Sequence, residues 1–378
     1  MELKKIKDIA TLGGGDVFGS AISAFFWFYL ASQIEPGEYG EIHWFIGIAS
    51  IFSYIALFGT VNTVTVYTAK GVNIQSALYV ISLVASLILS LIVIIVFPSF
   101  YQIDSGLLII AYVINALAIG NLLGTKSYKS YTKYILIQKS LTVCLGISFL
   151  HFFGYESILF ALGLTYVFYI KRIINVFKEI KIDFNIVKQK IGFVTNNYIM
   201  FVVGGFNGQI DKIIITPLLG FTLLGNYSLA LQAINIMMIV SSVSYKYLLP
   251  QEATNKNNKN LKVLVIGISI IITLIGMFVG PYLIDTFFVK YIDAKEAIQI
   301  MSLSIIPGTI ALLLQSEFLG KEQSKIVLIG NSGSLIILTI SMIVLGLNFG
   351  IIGLGISLIL ANSSKMIIFL IFKLTRRN

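Results

Sequence analysis

This chain of 378 residues has a single cysteine, two histidines, two tryptophans and almost no arginine. Cys144 lies inside an apolar run, so there is neither a disulfide framework nor a cysteine metal site. His43 and His151 stand apart from any carboxylate or cysteine at ligand spacing, and interfacial polar contacts account for them better than a metal does. Trp27 and Trp44 read as packing or lipid-facing residues rather than a substrate platform. Charge is also scarce, at 12% of residues against about 25% in ordinary soluble domains. With 57% hydrophobic residues, a string of soluble domains is excluded.

What the chain has instead is apolar runs about 20 residues long, recurring from end to end, each enough to cross a hydrocarbon core of about 30 Å. The runs delimit twelve spans: 9–34, 41–67, 76–97, 105–125, 134–153, 156–176, 194–217, 223–249, 261–284, 296–318, 324–346 and 350–372. The start, "MELKKIKDIATLGGGDVFGS", is basic like a signal peptide. Its apolar run continues to about Ile34 and ends in "EPGEYG" without a small-residue cleavage pattern, so a retained first span is expected.

The basic residues fix direction. With the N-terminus cytoplasmic, 22 of the 27 lysines and arginines fall on inner loops, and only Lys290 and Lys295 fall outside. That asymmetry is the positive-inside pattern, and it supports an even span number with both termini cytoplasmic in a plasma membrane. The net charge of +10 is therefore a topology device that also attracts anionic headgroups, and it does not imply nucleic acid.

The most basic connection, "KRIINVFKEIKIDFNIVKQK" at 171–190, divides the chain in two. The division is an N-terminal six-helix bundle over 1–177, a basic cytoplasmic linker over 178–193 and a C-terminal six-helix bundle over 194–378. The halves echo each other: Tyr39 matches Tyr227, and the pair Gly15/Gly19 matches Gly204/Gly208 with one residue of slippage. Six spans per repeat give parallel halves. The expected architecture is an all-α polytopic membrane protein with twelve transmembrane helices in two pseudo-symmetric six-helix bundles around a central cleft.

The segments "IEPGEYGEIHWFIGIASIF" and "DKIIITPLLGFTLLGNYSLA", with Pro250 closing span eight, resemble the multidrug/oligosaccharidyl-lipid/polysaccharide exporter superfamily. Within it they resemble the Wzx-type flippases of polysaccharide and O-antigen biosynthesis. The resemblance implies a transporter rather than an enzyme. It would move a pyrophosphate-lipid-linked oligosaccharide from the inner to the outer leaflet by alternating access. The chain is short for that family. Its arginines, Arg172, Arg376 and Arg377, all fall at the inner face, so a phosphate clamp would have to use lysine.

Ionisable residues inside spans are the candidate machinery, because each costs about 2.5–3.5 kcal/mol at a helix centre. Asp16 follows three glycines and lies roughly 10 Å deep, too far for its short side chain to reach the interface. Gly15 and Gly19 alone would explain close helix packing, but not the carboxylate. Asp211 and Lys212 are adjacent, and neighbours on a regular helix point about 100° apart, so they are not expected to form a simple i,i+4-type pair, and each is expected to find another partner or water. Lys139 and Lys365 lie about 8–11 Å from the inner boundary, within reach of snorkelling, and cavity lining is the alternative. Glu317 sits at the inner end of span ten. In this reading Lys139, Lys212 and Lys365 bind an anionic substrate as point donors, while Asp16 and Asp211 serve coupling or line the cavity.

No cofactor is implied. "GNLLGTKS" at 120–127 has the wrong spacing for a phosphate loop. The partners expected are lipid-linked oligosaccharide, membrane lipid and a coupling ion, proton or sodium. Two other classes compete. A drug or cation antiporter of the same superfamily would favour an acidic, aromatic chamber. A membrane-embedded glycan polymerase would need a large external loop that the short connections do not supply.

Overall fold

The computed structural model describes residues 2–96, 102–253, 258–321 and 323–375. Every regular element among them is a helix. Of the basic residues assigned to the inner face, Lys256, Arg376 and Arg377 lie outside the described residues.

Seven helices are long and apolar enough to cross a membrane, or nine if each of two bent pairs counts as one span. Two of the seven are far longer than a bilayer requires: 191–237, with 47 residues, and Ser324–Thr375, with 52. Each is broken by a glycine in the positive-φ region that L side chains rarely adopt, Gly220 (φ 84°) and Gly350 (φ 55°). At Gly350 the chain reverses. Leu354 packs on Gly346, the Ser334 hydroxyl donates to the Ala361 carbonyl at 2.9 Å, and Phe369 covers Gly330. These nested pairs define an antiparallel helical hairpin whose arms are the sequence-predicted spans eleven and twelve. Split at the two glycines and joined across its shorter breaks, the described chain follows the twelve predicted spans. It is an all-α polytopic membrane protein.

The shorter breaks have local causes. Helix Pro36–Ala56 begins with proline at its first position, where no N–H is needed. The Glu38 carboxylate reaches back to accept the Glu35 N–H at 2.9 Å, half of a capping box. The next segment, Val61–Ala69, is bent 41° from it. Gly59 donates its N–H to the Ser82 hydroxyl at 3.0 Å, and Thr60 caps the new helix by accepting the Thr63 N–H at 3.2 Å. A 47° bend separates Ala294–Ser302 from Ile305–Gly320.

Burial is inverted relative to a soluble helix. On Gln75–Val96 the serines Ser82, Ser86 and Ser90, four residues apart, face inward. Leu87, Ile88, Leu91 and Ile95 on the same helix are exposed, Ile95 by 77%. Small polar residues allow close helix approach, and apolar ones meet lipid chains.

The chain divides into two compact units. Unit 1 comprises Met1–Phe26 and Phe45–Gln209, and unit 2 comprises Trp27–Trp44 and Ile210–Asn378. These units describe packing, whereas the six-span halves describe chain order, and the two divisions differ in where the first hairpin, the turn segment Trp27–Trp44 joining the first two spans, falls. In unit 1 the core gathers Leu57, Tyr79, Leu117, Tyr169 and Ile173. In unit 2 a cluster around Leu314, Phe318 and Phe369 holds the open end of the Gly350 hairpin to Ile305–Gly320.

Candidate functional site

Asp211 and Lys212 occupy the first turn of a helix in unit 2. The preceding helix, Ile191–Asn207, tightens as Gly208 and Gln209 donate their N–H groups to the carbonyls three residues back, and a new helix starts at Ile210. Both side chains are buried, at 5% and 7% exposure. The Asp211 carboxylate accepts the Lys212 backbone N–H at 2.8 Å, and the Lys212 ammonium lies 3.7 Å away. The sequence expectation that these neighbours do not pair is corrected here. At a helix start no earlier turn blocks the carboxylate from folding back, and the positive helix end favours it there.

The first hairpin lies in the same unit and supplies a cover. His43 is buried at 8% exposure within electrostatic range of the Lys212 ammonium. Its ring centroid stands 4.5 Å from that of Tyr39 and 4.8 Å from that of Trp27. The Tyr227 hydroxyl faces the Asp211 carboxylate without the alignment of a hydrogen bond. The Tyr39 hydroxyl and His43 Nε2 are likewise buried without a hydrogen-bond partner among the described residues. Such atoms are costly in a dry interior. A carboxylate, an imidazole and two phenols in one buried region can hold or pass a proton.

In unit 1, Asp16 accepts a hydrogen bond from the Tyr131 hydroxyl at 3.1 Å. The flanking glycines do pack closely: a methyl on Gly15 would come within 2.7 Å of the Thr132 side chain, and one on Gly19 within 3.0 Å of Ile135. Gly204 has open space around it, so the echo of the two glycine pairs does not extend to their packing. One turn deeper, the Lys139 ammonium donates to the Ser23 hydroxyl at 3.4 Å.

Lys365, in unit 2, lies over the Phe369 ring with its ammonium 5.9 Å from the centroid. Among the described residues neither Lys139 nor Lys365 forms a salt bridge. Glu317 contrasts with both. It meets Lys373 at 2.7 Å, Lys321 at 3.1 Å and Lys262 at 3.3 Å, and Lys262 also meets Glu252 at 2.7 Å. Thus Glu317 is the hub of an ionic cluster that joins the ends of four helices. No group of three or more histidine, cysteine, aspartate or glutamate side chains suited to a metal occurs among the described residues.

No family model and no curated protein matches the sequence. Solved structures do match in fold. An inward-facing multidrug resistance MATE family transporter of the MOP superfamily superposes with a TM-score of 0.70 at 13% identity, covering 95% of this chain and 94% of that one. The lipid II flippase MurJ, in an inward closed conformation, superposes with a TM-score of 0.76 at 14% identity, covering 96% and 86%. A MOP superfamily transporter from Pyrococcus furiosus, whose binding pocket is described as reversed in polarity, gives 0.60 at 13% identity over 98% and 95%. At these identities the likeness establishes the fold.

His43, Tyr39 and Tyr227 are the residues that sequence reasoning passed over. The echo of Tyr39 by Tyr227 was the available signal, and both prove fully buried, at 0% and 1% exposure. His43 was expected at an interface. Nothing in the sequence brings it to Lys212, 169 positions away.

Proposed function

We propose that this protein is a plasma-membrane flippase that carries a pyrophosphate-lipid-linked oligosaccharide from the inner to the outer leaflet by alternating access, for surface glycan assembly. The observation that carries the reading is the state of Lys139 and Lys365. Both sit within spans, and among the described residues each has only a neutral partner, a hydroxyl or a ring. An ammonium held in a span without a counterion is costly, and a phosphate would neutralise it. Lys212 is already balanced by Asp211, so its substrate role is secondary to holding that pair. The likeness to a lipid II flippase supports the reading.

The rival, export of a cationic drug coupled to an ion, has the likeness to MATE transporters in its favour. It would use a carboxylate as the cation's counter-charge. Asp211 is already engaged by Lys212, and Asp16 accepts the Tyr131 hydroxyl. Under the flippase reading these two carboxylates serve coupling instead, with proton or sodium as the coupled ion. The termini are cytoplasmic.

The test is reconstitution in proteoliposomes. Purified protein should translocate a fluorescent polyprenyl-pyrophosphate saccharide, read by loss of signal to a membrane-impermeant quencher, and should not drive efflux of a cationic dye. Dye efflux without lipid translocation would overturn the assignment in favour of the antiporter.

A further inference from the structure

Unit 1 contains a second polar region that the charged residues do not account for. A cavity of about 230 Å³ is walled by Ser50, Ser53, Tyr54, Tyr112, Asn115 and Tyr166, with Phe201 closing one side. Its walls are built at regular helical spacings. Ser50, Ser53 and Tyr54 form one stripe of Pro36–Ala56, while Tyr112 and Asn115 form one stripe of Gln102–Gly124. The rings meet edge to face, Tyr112 with Tyr166 at 5.7 Å and Tyr54 with Phe201 at 5.2 Å. The Tyr112 hydroxyl is engaged by the Ser50 side chain, and that of Tyr54 by Gln209. Asn115 Oδ1 is buried without a hydrogen-bond partner among the described residues.

The chemistry of this lining is selective by what it omits. Among the described residues no aspartate, glutamate, lysine or arginine lines the cavity. A cationic ligand would find no counter-charge and a phosphate no cation. An alkyl chain would strand the hydroxyls and the amide, each at the cost of a desolvated polar group. A ligand that fits must be neutral, carry several hydroxyls and offer apolar C–H faces to aromatic rings. That is the description of a pyranose. The volume holds about eight waters at ~30 Å³ each, which suits one sugar ring rather than an extended glycan.

We infer that this cavity is a subsite for one neutral monosaccharide unit of the lipid-linked substrate, with Asn115 and Tyr112 as its hydrogen-bonding residues. The inference rests on the proposed function and adds to it. Charge recognition by lysine handles the pyrophosphate, and an uncharged aromatic subsite in unit 1 handles sugar.

The experiment compares two probes on full-length protein in nanodiscs: a polyprenyl pyrophosphate bearing a neutral trisaccharide, and the same polyprenyl pyrophosphate without sugar. Asn115→Leu, which keeps size and removes the amide, should weaken binding of the glycosylated probe about tenfold, as expected for a lost buried hydrogen-bonding group. It should leave the sugar-free probe within about twofold of wild type. Tyr112→Phe removes one oxygen with no change of shape and should move the ratio in the same direction by less, so the inference stays testable if the leucine variant fails to fold. If wild type prefers the glycosylated probe and both variants keep that preference, the subsite is overturned while the flippase reading stands. If wild type binds neither probe, the flippase reading falls and the subsite with it.

Discussion

Gly225 lies directly against the carbonyl of Pro36, and Gly40 lies against that of Phe221, so the starts of two helices cross with backbone on backbone. No side chain stands between them that could turn aside. A methyl group at either position would overlap peptide atoms, which cannot be relieved by a rotamer change. The first hairpin and the turn at Gly220 are therefore locked together within unit 2, and the lock sits beside the buried Tyr39 and Tyr227.

Gly225→Ala should thus destabilise the protein by about 1–3 kcal/mol, the usual cost of overpacking. It should also lower the apparent melting temperature in detergent. Gly267→Ala is the control, since Gly267 lies in a helix with open space around it. That change should be neutral or slightly stabilising, as alanine favours helix by up to about 1 kcal/mol. Equal melting temperatures for the two variants would remove the argument for the lock.

The Asp211–Lys212 pair makes a different prediction, because its two members are buried together. Asp211→Asn removes the carboxylate beside a buried ammonium and should cost about 3–5 kcal/mol, whereas removing both charges costs much less. The double variant Asp211→Asn with Lys212→Gln should therefore be more stable than Asp211→Asn alone, measured by thermal unfolding. If the double variant recovers stability but not lipid translocation, the pair acts in coupling. If it recovers both, the pair only holds the helix start.

Glu317→Gln tests the ionic cluster around Glu317. The carboxylate is 14% exposed and faces three lysines, so its neutralisation should cost about 1.5–3 kcal/mol, the range for charged hydrogen bonds. Lys321→Gln removes a partner that is 46% exposed and should cost under about 1 kcal/mol, as exposed pairs do. The comparison is read from melting temperatures of the two variants. A larger loss for Lys321→Gln would overturn the ranking.

Much of the fold was legible in the sequence because its cause is local and one-dimensional. The run from Gln75 to Val96 must be a span, and so must each arm of the hairpin at Gly350, since nothing but lipid suits them. The breaks within spans were not legible. The residues after Ala56 continue to read as apolar helix, and the bend there is fixed by the Ser82 hydroxyl, which comes from another span. For the site, sequence reasoning singled out Asp16, Lys139, Asp211, Lys212 and Lys365 from charge alone, but charge says nothing of partners. The Tyr131 hydroxyl on Asp16 and the placement of His43 within electrostatic range of Lys212 arise from tertiary packing. The uncharged cavity in unit 1 was missed for a related reason. Its tyrosines, serines and asparagine are ordinary residues in a membrane helix until folding turns them toward one point.

Lys139 and Lys365 carry the decisive prediction for headgroup recognition. If either lysine holds the pyrophosphate, its own glutamine variant, Lys139→Gln or Lys365→Gln, should weaken binding of polyprenyl pyrophosphate by about tenfold, the size of one charged hydrogen bond. Binding of a neutral polyprenol should be unaffected. Arginine at either position should restore part of the loss, since charge is retained while a planar fork replaces a compact ammonium. The competing account is that both lysines only reach toward the inner headgroups. The contacts weigh against a purely interfacial role for Lys139, whose ammonium is turned to Ser23 on a neighbouring helix, whereas Lys365 lies over Phe369, one turn nearer the C-terminal end of its own helix, so the binding series decides for it. Under that account glutamine changes insertion or melting temperature and alters both lipids equally. A binding series on the two glutamine and two arginine variants, with both lipids, separates the accounts. Equal losses for the charged and neutral lipids would remove the lysines from substrate recognition.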